Sequence, residues 1–288
     1  MSVATWGMIG TGLAALVAGL ILVRGRFTAA VGVNRILVLG PVFEAIALAI
    51  FAAEHFLMAS ELSGIVPKWL PGAMFWTYFV GVALLAAAVS FIAWRCVRWS
   101  ASLLAVLFLI IVATVDLPNL PAGAHDRFFW ILTVRETCFA AGAMVLAGSA
   151  WPRGRSTGRV LIRLGRAIVA CTFVFYAIQH FLHPRNVPGV PLENMIPGWM
   201  PAPTLFACFV GMTLLVAGVG LMVPRTHRIA AAGAGTVLVL VVVFFYVPIL
   251  VMEVRTPLAV EGINYVGDTL LFAGTALLAG FGADDVND

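Results

Sequence analysis

Long apolar runs alternate with short polar stretches along the whole 288-residue chain. Each run is close to the roughly 20 residues that a helix needs to cross a bilayer, and none has the two-residue alternation of a barrel strand. Because backbone amides in lipid must bond within their own segment, every run is predicted to be a helix. The nine predicted helices cover residues 5–23, 36–58, 74–94, 100–115, 128–150, 160–182, 205–223, 229–250 and 263–281.

Composition excludes the ordinary soluble proteins. Hydrophobic residues make up 62% of the chain and charged residues 10%, whereas soluble domains carry about a quarter charged residues. The predicted fold is therefore all-α, that of a polytopic membrane protein with about nine transmembrane helices. Its first expected partner is the lipid bilayer.

Arginine follows every second predicted helix, and carboxylates occupy the opposite junctions. Because positive residues in short loops are retained in the cytoplasm, the pattern predicts a multi-pass protein of the inner (plasma) membrane. Its amino terminus would be extracytoplasmic, and its carboxyl terminus, with Asp284, Asp285 and Asp288, cytoplasmic. The net charge of +4 then reflects these loops and gives no reason to expect nucleic-acid binding. The arginines are Arg24, Arg26, Arg35, Arg95, Arg98, Arg153, Arg155, Arg159, Arg163, Arg166, Arg225 and Arg228, and the opposing acids are Glu61, Asp126, Glu193, Glu253 and Glu261.

One short phrase occurs twice, as "VPKWLP" at 66–71 and "IPGWMP" at 196–201. The likeness continues on both sides: "EHFL" and "QHFL" come before it, "FVGVALL" and "FVGMTLL" after it, and "ETCFAAGAMVLAG" and "DTLLFAGTALLAG" further on. The sequence therefore predicts two four-helix repeats, residues 34–152 and 153–288, after an extra helix in residues 1–33. An even number of helices per repeat makes the two copies parallel, and sites tend to form where such halves meet.

The same motifs, from about Asn34 to Gly280, resemble those of the DoxX-like family of integral membrane proteins. The resemblance implies a four-helix unit and, for some members, association with sulfur-compound or quinone-linked oxidoreductase complexes. A distant branch of the family serves as cargo receptors. This chain departs from a single-unit member by its two fused units and its extra helix.

Each repeated loop carries a tryptophan between two prolines, Trp69 in the first copy and Trp199 in the second. Flanking prolines favour extended backbone, and tryptophan favours the headgroup level of a bilayer. The loops are therefore interpreted first as anchors at the outer surface. A ligand-binding loop is the alternative.

Ionisable residues at membrane depth are costly and mark candidate functional sites. In the first repeat we assign catalytic roles to Glu54, His55, Asp116, Arg135 and Glu136, all expected in the extracytoplasmic half. The ligand-binding residues that we assign are Trp69, His180, His183, Trp199, Tyr246 and Asp268. Together they predict an outward-facing site between the repeats.

Adjacent helical residues project about 100° apart, so no pairing of Arg135 with Glu136 is assumed. Arg135 is expected to reach Asp116 or Glu54 across helices, in a buried network confined to the first repeat. The loss of the arginine from the second repeat favours a site over a purely structural network.

Glu44 lies roughly 13 Å along its helix from Arg35, near the middle of the bilayer. It shares a face with His55, about three turns away, so one hypothesis is a proton path from Glu44 towards His55. The alternative is a neutral glutamic acid that bonds to a neighbouring helix.

The repeated histidines, His55 and His180, have three interpretations. They could ligate haem or a metal across the repeat interface, or His55 could exchange protons with a bound quinone headgroup. Both could instead bond to the loop backbone that follows them, which best explains why the histidine recurs with the loop.

Three classes of function follow. The first is the membrane subunit of a quinone-linked oxidoreductase, with a soluble redox partner. The second is a proton-coupled transporter or a protein that binds a lipophilic small molecule, and the third is a scaffold without catalysis. The sequence identifies no cofactor: quinone is the first candidate, and haem or a metal is the alternative.

Overall fold

The structure is a computed structural model that describes residues 2–121, 123, 125–152, 154–189 and 196–282. Arg153, Glu193, Asp284, Asp285 and Asp288, which contributed to the charge pattern, lie outside the described residues. The described chain is helical and contains no β-strand. Its long helices are α1 (Val3–Ala29), α2 (Gly40–Leu57), α3 (Ala73–Ala93), α4 (Val97–Ile111), α5 (Arg127–Ser149), α6 (Ser156–Leu182), α7 (Pro203–Met222), α8 (His227–Val241) and α9 (Ala259–Leu278).

Two of these helices continue through π-helical turns. After α4 the chain passes through Val112–Asp116 into Leu117–Asn119, and after α8 it passes through Val242–Tyr246 into Val247–Glu253. A short helix, Asn34–Leu37, precedes α2, and another, Ala59–Leu62, follows it before a 3₁₀ turn at Ser63–Ile65.

Eight helical segments in the described chain are long and apolar enough to span a membrane. This confirms the prediction of an all-α polytopic membrane protein. The ninth predicted segment corresponds to α9, which has 20 residues but is not among the eight. Its N-terminal half carries Glu261, Asn264 and Asp268, and its C-terminal half is buried by other helices, so α9 has little need of a lipid-facing apolar surface. The exact count of nine spans is therefore not established.

The helices α2 to α9 form a closed ring, across which α5 and α9 meet. Each helix from α2 to α8 packs against the next in sequence, and α9 returns to pack on α2. α5 and α9 also contact each other, while α1 lies against α2 and α3. The side chains of α2, α5 and α9 therefore meet in the interior of the bundle.

Local sequence sets where α5 begins. The Asp126 side chain accepts a hydrogen bond of 2.9 Å from the backbone N–H of Phe128, which satisfies one of the unpaired donors of the first turn. From this start Arg135 falls more than two turns into the helix. The cap therefore fixes the depth of the arginine.

Several positions that are aligned between the two predicted repeats have the same local structure. The two π turns end at Asp116, the first residue of "DLP", and at Tyr246, the first residue of "YVP", and these two tripeptides occupy the same place in the two predicted repeats. A Cβ atom at Gly81 would lie 2.9 Å from Cβ of His55, and one at Gly211 would lie 2.9 Å from Cβ of His180. The division into residues 1–33, 34–152 and 153–288 remains a prediction.

Arg166 of α6 bonds to the C-terminal end of α9. Its Nε donates to the carbonyl oxygen of Ala279 (2.8 Å) and its Nη2 to that of Phe281 (2.6 Å). Carbonyls at a helix C-terminus lack helical partners and favour a nearby cation. We expect Arg166→Met to lower the free energy of unfolding by about 1–3 kcal/mol, because two carbonyls lose a charged donor.

Thermal melting in mild detergent measures this effect. The matched control is Arg163→Met, because Arg163 lies on the same helix and is exposed. Equal melting temperatures for the two variants would show that the Arg166 contacts contribute nothing to stability.

Candidate functional site

A group of charged side chains lies between α5, α9 and the π turn after α4. Arg135 donates from Nη1 to Asp268 Oδ2 at 2.6 Å and from Nη2 to Glu136 Oε1 at 2.9 Å. Their side chains are 14–16% exposed, so the ion pairs are largely withdrawn from solvent. We call Asp116, Arg135, Glu136 and Asp268 the ionic cluster.

Asp116 is the last residue of the π turn Val112–Asp116. Single π turns are frequent at functional sites, because the extra residue redirects the side chains around it. Asp116 interacts electrostatically with Glu136 and Arg135. Its buried Oδ2 has no hydrogen-bond partner, and neither has the buried Nε of Arg135. The cluster thus contains one unpaired acceptor and one unpaired donor.

These contacts correct the predicted pairing. Arg135 bonds Asp268 and Glu136, not Asp116 or Glu54. The long, flexible arginine side chain can turn towards its sequence neighbour, and the packing of α9 on α5 brings Asp268 within reach. The expectation of a network confined to the first predicted repeat is also wrong, since Asp268 belongs to the second.

Glu54 also connects the two predicted repeats. Its Oε1 accepts a hydrogen bond of 2.9 Å from Nδ2 of Asn264 on α9, and the residue is 8% exposed. The other amide atom, Oδ1 of Asn264, is buried without a partner. Sequence reasoning missed Asn264, although an asparagine one turn before Asp268 was a visible signal.

The two histidines have different surroundings. His180 is fully buried: its Nδ1 lies 2.6 Å from the carbonyl oxygen of Tyr176, and its Nε2 accepts from the N–H of Gly189 at 3.0 Å. Because Nε2 accepts, Nδ1 must carry the proton and donate to Tyr176. This confirms for His180 the interpretation that it bonds to the following loop, and it leaves no nitrogen for a ligand.

His55 is half-buried and bonds through Nδ1 to the carbonyl oxygen of Phe51, 2.8 Å away on its own helix. It therefore does not bond to the loop that follows it. His183 caps the end of α6 outside the span, where partial burial and the nearby Arg127 cation lower its pKa.

Tyr246 and Trp199 lie around the second loop, whereas Trp69 lies in the first. Tyr246 donates from its hydroxyl to the carbonyl oxygen of Pro188 and stacks on Tyr265, with ring centroids 5.4 Å apart. Trp199 packs on Phe245 with centroids 6.0 Å apart. Trp69 is 68% exposed and Trp199 43% exposed. Exposed tryptophans of this kind suit membrane anchoring, whereas Tyr246 and His180 fix the backbone at 188–189.

Glu44 lies apart from the ionic cluster. It is 1% exposed, and its Oε1 accepts from Oγ1 of Thr275 on α9 at 3.1 Å. Its Oε2 has no hydrogen-bond partner. The predicted bond to a neighbouring helix is therefore confirmed, and a path towards His55 remains a prediction.

The described part of the chain contains no group of side chains suited to bind a metal ion. No three His, Cys, Asp or Glu side chains there are grouped so that they could hold a metal ion. Both ring nitrogens of His180 are taken by backbone groups, so a bis-histidine haem site does not fit either.

Comparison with known proteins identifies a family match over part of the chain. A family model described as "Domain of unknown function (DUF8561)" matches residues 45–120, which include Glu54, His55 and Asp116. No curated protein and no solved structure matches the chain.

Proposed function

We propose that this chain is a DoxX-like protein of the inner membrane that binds the polar head of a quinone at the ionic cluster. In this proposal it is the membrane subunit of a quinone-linked oxidoreductase, and a soluble partner supplies the electrons. Its two parallel repeats would place the cluster at their interface, in the extracytoplasmic half. The positions of the arginines support this orientation.

The observation that carries the proposal is the pair of buried, unpaired atoms in the cluster, Arg135 Nε and Asp116 Oδ2. Unpaired polar atoms are costly in a protein interior and call for a partner that the chain does not itself provide. A quinone carbonyl would accept from the Nε–H, and a quinol hydroxyl would donate to the carboxylate. The site thus offers one group suited to each redox form.

The charges of the cluster suit proton exchange. Three carboxyl groups, those of Asp116, Glu136 and Asp268, surround the single guanidinium of Arg135. The cluster therefore carries more acid than base and can hold a proton beside the ligand. Reduction of a quinone to a quinol takes up two electrons and two protons, and Asp116 is the carboxyl group placed to deliver one of them.

A binding titration tests the proposal. Protein in mild detergent is titrated separately with a water-soluble short-chain benzoquinone and with the corresponding quinol, and quenching of tryptophan fluorescence gives Kd for each form. Asp116→Asn is expected to raise Kd for the quinol form about tenfold or more, because a charged acceptor is lost. The control is Glu61→Gln, an exposed acid outside the cluster. Absence of saturable binding, or equal Kd for wild type and both variants, would sink the proposal.

Proton-coupled transport is a second candidate. It is favoured by the nearly complete burial of Glu44, a residue of α2, against α9. It requires that a proton gradient drive solute uptake into proteoliposomes and that Glu44→Gln abolish that uptake. Saturable quinone binding without such uptake favours the oxidoreductase. If neither is observed, the scaffold class is left.

A further inference from the structure

The short turn between α3 and α4 has an uncommon backbone. Trp94 has a φ of 55° and Cys96 a φ of 57°, which place both in the left-handed region that residues other than glycine rarely adopt. The Ser90 hydroxyl donates to the carbonyl oxygen of Arg95, and it lies 2.6 Å from the hydroxyl of Ser100. Because these bonds tie the turn to both helices, the indole ring of Trp94 is held in a defined position.

The guanidinium of Arg26, in the last turn of α1, lies over that ring. Its Cζ is 3.7 Å from the centroid of the Trp94 ring, which is a close cation–π contact. Its Nη1 is buried and has no hydrogen-bond partner. None of the ion pairs of the described chain includes Arg26. The ring therefore holds a guanidinium that still lacks an acceptor for one of its nitrogens.

A second contact between arginine and tryptophan lies at the start of α4. Cζ of Arg98 is 4.6 Å from the centroid of the Trp99 ring and 5.3 Å from that of Trp151, which follows α5. Arg24 and Arg95 are exposed at the same end of the bundle. The ends of α1, α3, α4 and α5 that meet here thus present several cations among tryptophan rings.

The neighbouring sequence offers these arginines no carboxylate. Neither aspartate nor glutamate occurs in residues 1–43, 62–115 or 137–192, which include all of α1, α3 and α4. A buried N–H group without an acceptor is costly, and a buried cation is stabilised by an anion. These segments do not supply that anion, so it has to come from another molecule.

The position of the arginines favours the phosphate of a phospholipid. Arginine binds phosphate oxygens through charge-assisted hydrogen bonds, tryptophan favours the headgroup level, and basic sites between transmembrane helices bind anionic headgroups. Large apolar side chains are exposed within about two helical turns of the arginines: Ile21 (66%) and Leu22 (55%) on α1, and Leu103 (68%) on α4. These side chains suit acyl chains. A free phosphate ion would make the same polar contact but would leave the apolar surface unused.

We infer that Arg26 and the turn between α3 and α4 bind the phosphate headgroup of an anionic phospholipid. Nη1 of Arg26 donates to a phosphate oxygen, while the Trp94 ring holds the guanidinium in place. Arg98 adds positive charge, and the acyl chains lie along α1 and α4. Because no carboxylate accompanies the arginines, a lipid with a net negative charge binds better than a zwitterionic one. The site is separate from the ionic cluster and does not depend on which ligand that cluster binds.

Native mass spectrometry tests this inference. Protein in mild detergent is titrated with phosphatidylglycerol or with phosphatidylcholine of the same acyl chains, and the fraction of protein that carries one lipid gives Kd. We expect wild type to bind phosphatidylglycerol more tightly. Its Kd should rise about tenfold or more in Arg26→Gln, because the charged donor is lost. Arg26→Lys keeps the charge but not the planar guanidinium, so it should also bind phosphatidylglycerol more weakly than wild type.

The matched control is Arg24→Gln, which removes the same charge from an exposed position of α1 and should keep the wild-type Kd. Equal Kd values for Arg24→Gln and Arg26→Gln, or for the two lipids on wild type, would overturn the inference. A wild-type Kd in Arg26→Lys would overturn the role of the stacked guanidinium. Inorganic phosphate in excess should not displace the lipid; displacement would show that the site takes a free phosphate ion, and the lipid assignment would be wrong.

Discussion

Replacing Arg135 by glutamine is expected to lower the free energy of unfolding by about 3–5 kcal/mol, which makes it the most destabilising substitution that we predict. The variant leaves Asp268 and Glu136 without the cation that now lies 2.6 Å and 2.9 Å from their oxygens. Because both acids are largely withdrawn from solvent, water cannot replace the lost partner. Thermal and denaturant unfolding in mild detergent measure the loss.

A second substitution separates this electrostatic cause from a general packing defect. In Arg135→Gln/Asp268→Asn the unpaired aspartate is gone, so part of the lost stability should return. Arg163→Gln, on the exposed side of α6, should unfold like wild type. If Arg135→Gln alone were as stable as wild type, the ion pairs would have no structural role.

Replacing Gly274 by alanine is expected to give the second-largest effect, a loss of about 1–3 kcal/mol or more. The new methyl group would lie 2.5 Å from Cγ of Glu44, 2.8 Å from its backbone nitrogen and 3.0 Å from the carbonyl oxygen of Gly40. Two of these atoms are backbone, so no side-chain rotation relieves the clash. α9 and α2 must move apart, and the bond between Thr275 and Glu44 should weaken.

Gly233→Ala is the matched control. Gly233 lies within α8, and a Cβ atom there would meet nothing within 4 Å. Since alanine favours helix over glycine by about 0.5–1 kcal/mol, this variant should melt at or above the wild-type temperature. Equal melting temperatures for Gly274→Ala and Gly233→Ala would contradict the close approach of α2 and α9.

The fold class could be predicted from the sequence because a bilayer leaves a chain few alternatives. Apolar runs of bilayer-spanning length must be helices, and each predicted run overlaps a long observed helix. The two π turns were missed, since no residue pattern distinguishes one extra residue in a turn. The helix α9 differs from the others because it is surrounded by other helices. Its polar residues make contacts with those helices, which a hydropathy pattern does not predict.

The residues of the candidate site could be predicted from the sequence better than the contacts between them. Buried charge singled out Arg135, Glu136 and Asp268, because such residues are rare at membrane depth. The partner of Arg135 depended on which helix packs on α5, and a single sequence does not specify that. Tyr176 and Asn264 were missed, although the four-residue spacing from Tyr176 to His180 was a usable signal.

The most direct test of the central claim is to measure the quinone that accompanies the protein out of its own membrane. Wild-type protein and Asp116→Asn are extracted into polymer-bounded lipid discs, purified, and analysed by mass spectrometry for quinone per chain. We predict that wild type retains a quinone in stoichiometric amount, well above its share of the surrounding lipid, and that Asp116→Asn loses most of it. Equal, lipid-level amounts in both preparations would contradict a quinone site at the ionic cluster.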